Sequence, residues 1–196
     1  MILNRNDKIA LVVCSNGKNI EDKGRLEKLE DILVKMGLVP IFTKYIYRDK
    51  FGYGAKAQVR AEELMSFYKN KEIKAIFDIS GGDIANEILD YLDYDAIKRN
   101  YKPFFGYSDL TTILNALGSQ TNEVNYLYQI LNIIESEEIR ISFENTFMKN
   151  EQILFDVKWK FLQGSSVEGE VIGGNIRCFL KLAGTRYFPE VDNKVL

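Results

Sequence analysis

The chain has 196 residues, 46% of them hydrophobic and 28% charged, with a formal net charge of −2. This is the composition of a globular protein with one good-sized core, or one domain and part of a second, and it argues against a disordered chain. It leaves no basic face for general nucleic-acid binding, and no stretch approaches the length of a membrane span.

The sequence contains no histidine, which closes histidine general-base catalysis and His-ligated metal sites within these residues. Cys14 and Cys178 each sit in an apolar run without CxxC spacing, so buried reduced thiols are expected rather than a disulfide or zinc. The first residues lack a signal peptide's apolar segment, and a cytoplasmic location is the expectation.

Along the chain, residues 8–14 form a continuous apolar run of strand length, as a strand covered on both faces would. A helix is expected from about Ile20 to Met36, closed by Gly37, and a second strand at 39–43, where Pro40 hints at an edge. An aromatic, glycine-containing loop runs to about Ala55, and loops of this length often cover a site. A helix over about 56–70 and a strand at 75–79 follow. Then come a Ser80–Asp83 turn, helical pieces from Ile84, the short run Phe104-Phe105 and a helix with Leu110, Ile113, Leu114 and Leu117 on one face. Strand and helix alternating in this way predict a doubly wound α/β domain with a mostly parallel sheet. Ligands gather beyond the carboxyl ends of such strands, where the loops 15–18, 80–83 and 107–109 belong.

After about Asn125 the pattern changes. Residues 139–147 and 152–161 are expected as short strands, 164–169 as a turn, 170–175 as a strand ending in a sharp bend, and 176–183 as a short helix. The division expected is 1–132 for the α/β domain and 133–196 for a smaller, β-rich unit. Residues 191–196 read as a turn followed by the start of a strand, so the second unit is expected to be incomplete.

Ser108 lies at a strand-to-helix corner, Gly106-Tyr-Ser-Asp109, where a hydroxyl stands outside the sheet beside the positive end of a helix. That place suits a nucleophile and equally an ordinary N-cap. Gly81-Gly82 and Gly173-Gly174-Asn175 are each either tight turns or ligand-facing backbone, and neither matches a dinucleotide or phosphate-loop motif. Ser108 and Gly81-Gly82 follow strands at the same sheet edge, so N–H groups of the glycine turn and of Asp109 could face one oxyanion. The second glycine of the G-x-S-x-G elbow is absent, its place taken by Leu110.

The set of motifs resembles the LD-carboxypeptidase family, which includes muropeptide LD-carboxypeptidases and microcin C self-immunity peptidases. The matching segments are Arg60-Ala61, Gly81-Gly82, Leu92-Asp93-Tyr94, Lys102-Pro103, Gly106–Thr111, Gly173–Ile176 and Ala183–Thr185, in family order over nearly the whole chain. The resemblance implies a flavodoxin-like nucleophile domain, a β-rich C-terminal domain and a Ser-His-Glu peptidase without metal or cofactor. It implies Ser108 as nucleophile, with Asp109 and Gly82, or Gly81 beside it, giving oxyanion N–H groups. Gly81, Asp83, Tyr107 and Asn175 are the binding candidates. The partner implied is a small peptide-like substrate, with no nucleic acid or membrane, and a homodimer by analogy.

Two departures stand out. The family's glutamate and histidine fall past residue 196, and residues 125–128, Asn-Tyr-Leu-Tyr, replace a glycine-rich segment near the site. An unassisted serine is a poor nucleophile, so Lys102, Asp83, Glu87 and Glu170 are the candidate substitute bases. Two readings stay open: a serine carboxypeptidase lacking its base in this chain, and a non-catalytic relative that binds a peptide-like ligand or a protein partner.

Overall fold

The computed structural model describes residues 2–196. Its centre is β1 (Lys8–Val12), whose alternate side chains feed two separate cores. Ala10, Val12 and Cys14 face one layer of helices, while Ile9, Leu11 and Val13 face the other. The continuous apolar run in the sequence is therefore a strand buried on both sides.

α1 (Lys23–Lys35) follows a 3-10 turn at Ile20–Asp22 and buries Leu26, Leu29, Ile32 and Leu33. β2 (Val39–Phe42) is the edge strand, where Pro40 costs least because no further strand needs its N–H. α2 (Ala57–Lys69), β3 (Ile73–Asp78), a 3-10 stretch at Ala85–Tyr91, α3 (Tyr94–Arg99), β4 (Phe104–Gly106), α4 (Thr111–Thr121) and β5 (Tyr126–Leu127) complete the alternation. All five strands pair parallel in the order β2-β1-β3-β4-β5. That is the flavodoxin-like order, with the reversal between β1 and β3. The loops after β1, β3 and β4 meet at the carboxyl edge as expected.

The region after β5 differs from its reading as strands. Residues 139–147 lie in α5 (Glu137–Met148), not in a strand. Ser136 caps it by accepting the Ile139 N–H at 3.3 Å, and Glu137 and Glu138 occupy the first turn, where the helix dipole favours acid. α5 packs under the sheet: Phe147 meets Phe105 edge-on at 5.1 Å between ring centroids, and Phe143 lies 6.0 Å from Phe77. Residues 152–161 form no strand either. Ile153–Phe155 turn back on α5, where the Leu154 N–H donates to Thr146 Oγ1, and Val157, Trp159 and Phe161 lie exposed. The alternation there is real, but no neighbouring strand takes up its backbone groups among the described residues. The rest of the chain holds a two-stranded parallel ladder, β6 (Glu170–Val171) with β7 (Lys194–Val195), and one short helix, α6 (Ile176–Leu180). Among the described residues no helix is long and apolar enough to cross a membrane.

Candidate functional site

The corner between β4 and α4 is built by sterics. Gly106 is buried, and a Cβ on it would come within 2.6 Å of the Leu110 Cβ. Leu110, where the elbow pattern has its second glycine, points instead into the core and is fully buried. The chain can turn this tightly only because the first glycine leaves room for that leucine. Ser108 sits at φ +57°, the left-handed region that costs a non-glycine residue about 1–2 kcal/mol. It is half-buried, and its hydroxyl is bonded to no protein group among the described residues. Ser108 and Asp109 open a 3-10 turn that runs into α4, so their N–H groups belong to a helix start that leaves them without intrahelical partners. The serine is thus no N-cap: that position is Tyr107, which makes no side-chain cap bond.

Asp109 is the organiser of the corner. Its carboxylate is fully buried and takes a donor on each side. Oδ2 accepts from Ser15 Oγ and from the Ala85 N–H, both at 2.8 Å. Oδ1 accepts from Lys181 Nζ at 2.8 Å. A buried carboxylate without such partners would cost several kcal/mol. Here it ties the loop after β1, the turn after β3 and the second half of the chain to the residue beside Ser108.

The glycine turn is held by Asn16. Asn16 Oδ1 accepts the Asp83 N–H at 2.9 Å, and Asn16 forms isolated bridges with Gly81 and Tyr53. Gly82 has φ +142°, and a Cβ on it would lie 1.9 Å from Asn16 Oδ1, so both conformation and space require glycine. The Gly82 N–H donates to no protein group among the described residues. Through Tyr53 and a Lys18–Tyr47 bridge the aromatic loop is pinned over the same edge. Arg60 fastens it from below, donating to the carbonyls of Ala55 (3.1 Å) and Ile84 (3.2 Å), to that of Cys14, and to Glu87 at 2.7 Å.

Below this lies a buried polar chain. Asp78 accepts from the Cys14 N–H (2.8 Å), the Ser80 N–H (2.6 Å) and Ser80 Oγ (2.5 Å). Ser80 Oγ in turn accepts the Ser15 N–H at 3.0 Å. Burial pushes the Asp78 carboxyl up, partly offset by the Ser80 and Cys14 hydrogen bonds. The thiols of Cys14 and Cys178 are also pushed up, by burial first and then by a nearby aspartate, so neither offers a thiolate.

The remaining candidates fall into two groups. Tyr107 is exposed beside Ser108, free to meet a ligand. Asn175 works structurally: its side chain caps α6 by accepting the Cys178 N–H at 3.2 Å, and its own N–H donates to Thr111 Oγ1 at 3.1 Å. Among the described residues none of the four substitute bases hydrogen-bonds Ser108, and each is engaged with another group. Lys102 is buried and donates to the carbonyls of Tyr68 and Asn100, with burial lowering its ammonium. Glu87 pairs with Arg60, Asp83 with Arg177 at 2.8 Å, and Glu170 with Lys194.

Asn16, Lys181 and the Asp109 side chain escaped the sequence reading, although Ser15-Asn16 follows the first strand at the ligand edge. A cavity of about 810 Å³ opens under the aromatic loop, lined by Tyr47, Arg48, Tyr53, Lys56 and Glu87. A second, of about 850 Å³, lies between α4 and the β6–β7 ladder, bordered by Asn115, Leu127, Gly174 and Lys194. Ser108 lines neither. Among the described residues no group of His, Cys, Asp or Glu is arranged to hold a metal.

Comparison with known proteins places the family and the fold. A family model described as the LD-carboxypeptidase N-terminal domain matches residues 9–129. A protein of Treponema pallidum (strain Nichols) that bears a carboxypeptidase designation is 24% identical over 221 residues, covering 100% of this chain and 66% of its own length. The Microcin C7 self-immunity protein MccF of Escherichia coli is 25% identical over 222 residues, covering 95% of this chain and 64% of its own. The solved structure of MccF with aspartyl sulfamoyl adenosine superposes with a TM-score of 0.82 at 24% identity, over 98% of this chain and 68% of that one. A muramoyltetrapeptide carboxypeptidase from Oxalobacter formigenes gives 0.75 at 23%, over 94% and 62%. At these identities the structural likeness speaks for the fold. The chain spans about two thirds of the length of these two curated relatives.

Proposed function

Because the chain belongs to the LD-carboxypeptidase family, we propose that it carries the nucleophile half of a serine carboxypeptidase site. Ser108 Oγ would attack the scissile carbonyl carbon, and the oxyanion would be received by the N–H groups of Asp109 and Gly82. For the acyl-enzyme to form, the Ser108 Oγ proton must pass through a base to the leaving amine, and the same base must then take a proton from the water that hydrolyses the ester. The substrate is a small peptide-like molecule: a muropeptide losing a terminal D-residue, or a peptidyl-nucleotide conjugate. MccF has been seen with aspartyl sulfamoyl adenosine and with glutamyl sulfamoyl guanosine, which favours room for an aminoacyl nucleoside.

The observation that carries this reading is the strained corner itself. Among the described residues, Ser108 keeps a left-handed backbone and an unbonded hydroxyl near the Asp109 and Gly82 N–H groups, which have no protein acceptor. Strain of this kind persists only where the surroundings impose it. We place the division between the two units after α5 rather than at residue 132, since Phe143 and Phe147 belong to the sheet's core.

The proton of Ser108 has no acceptor among these residues. The sequence lacks histidine, and Lys102, Asp83, Glu87 and Glu170 are all engaged elsewhere. By the resemblance, the accepting histidine and its glutamate correspond to positions past residue 196. We therefore propose that these 196 residues alone do not turn over substrate. The same observation favours the second reading, a relative that binds a peptide-like ligand without cleaving it. A fluorophosphonate probe separates the two. Slow labelling that maps to the Ser108 peptide and vanishes in Ser108→Ala supports a nucleophile, whereas no labelling, or labelling that survives the substitution, leaves the binding reading.

A further inference from the structure

The geometry points to Lys181 as the positioning residue that sets the oxyanion pocket, an inference that rests on the reading of Ser108 as nucleophile. Lys181 lies just past α6, in the second half of the chain, with its side chain 24% exposed. Its ammonium donates at 2.8 Å to Asp109 Oδ1 and at 2.8 Å to the backbone carbonyl of Asp83. Asp109 follows Ser108, and Asp83 follows Gly82. One cation therefore grips both segments that present the expected oxyanion donors, and fixes their spacing.

Charge makes this grip more than a surface contact. Asp109 is fully buried; among the described residues Lys181 is its only ion-pair partner and the only nitrogen donor to Oδ1, and the Cys178 thiol also hydrogen-bonds the carboxylate. Without Lys181 the buried carboxylate would keep Ser15 and Ala85 on Oδ2 and the weak thiol donor of Cys178, but would lose its counter-ion. It would then turn toward another donor and carry the Ala85 turn and the Asp109 peptide with it. Arg177, one turn earlier on α6, makes a contrasting contact. Its pair with Asp83 is 67% and 65% exposed, is open to solvent screening, and does not touch Asp109. Lys181 thus acts on the corner through Asp109, while Arg177 only helps seat the same helix.

The test compares the wild-type chain with Lys181→Met, Lys181→Arg and Arg177→Ala, each checked for a cooperative unfolding transition. Two quantities are read: the rate of fluorophosphonate labelling at Ser108, and the backbone amide resonances of Gly82, Ala85 and Asp109, Asp83 being left out because Arg177 pairs with it directly. Lys181→Met is expected to slow labelling about tenfold through misplaced donors and to move the amides of both segments. Lys181→Arg should restore most of both, and Arg177→Ala should leave both near wild type. If Lys181→Met does not fold, Lys181→Gln carries the same comparison. Unmoved Gly82 and Asp109 amides, or equal displacement by Arg177→Ala, would overturn the assignment. A wild-type chain that takes no label would count against the Ser108 reading, and the amide shifts would still decide the role of Lys181.

Discussion

Ser108 holds a conformation that glycine would hold more easily, and this gives the residue a measurable signature. Replacing it with alanine removes the hydroxyl but keeps the Cβ at φ +57°. Replacing it with glycine removes the strain as well. Ser108→Gly should therefore be more stable than Ser108→Ala by about 1 kcal/mol, read from denaturant midpoints at equal slope. Equal stabilities would mean that the corner is relaxed. The corner at Ser108 and its flanking glycine are legible in the sequence because a tight strand-to-helix turn is a local pattern. The carboxylate of Asp109 is not. Its donors Ser15, Ala85 and Lys181 lie 94, 24 and 72 residues away, and no local spacing announces such a meeting. The substitute bases illustrate the same gap: each is a plausible titrating group in sequence, and each proves to be bound elsewhere.

At the level of elements, the parallel sheet is readable because doubly covered strands leave continuous apolar runs and the helices between them keep their period. α5 is not, since Ile139, Ile141 and Phe143 alternate as a strand would. The stronger signal is Ser136 followed by Glu137-Glu138, an N-cap and acidic first turn. Side-chain contacts decide the matter: Phe143 and Phe147 are buried against the sheet, while Ile141 is 50% exposed. Phe143→Ala should cost about 3–5 kcal/mol of unfolding free energy, and Ile141→Ala should stay within about 0.5 kcal/mol. A small effect of Phe143→Ala would separate α5 from the sheet and return it to the second unit. Residues 152–161 carry an alternation that the fold leaves unused, because a strand pattern becomes a strand only when neighbours accept its backbone groups.

Over the whole molecule, the corner is completed from both halves of the chain. Asn115 of α4 exchanges two hydrogen bonds with Gly173, each at 2.8 Å, and a Cβ on Gly174 would come within 2.7 Å of Thr111 Oγ1. Thr111 receives the Asn175 N–H, and Lys181 reaches Asp109. Gly173-Gly174-Asn175 therefore serves as a close-approach joint onto the helix after Ser108, which explains why those glycines stand where they do. The fold brings Ser108, the N–H groups of Asp109 and Gly82 proposed as oxyanion donors, and this joint to one sheet edge, in a sequence without histidine. Such a site should capture a tetrahedral adduct even where it cannot turn over. Boron-11 NMR of the chain with an L-aminoalkyl boronic acid, whose boron takes the place of the scissile carbonyl carbon, reads that capture directly. A shift from the trigonal to the tetrahedral resonance that disappears in Ser108→Ala is expected. A boron that stays trigonal, or a tetrahedral signal that persists without Ser108, would contradict the assignment of Ser108 as a nucleophile held before an oxyanion pocket.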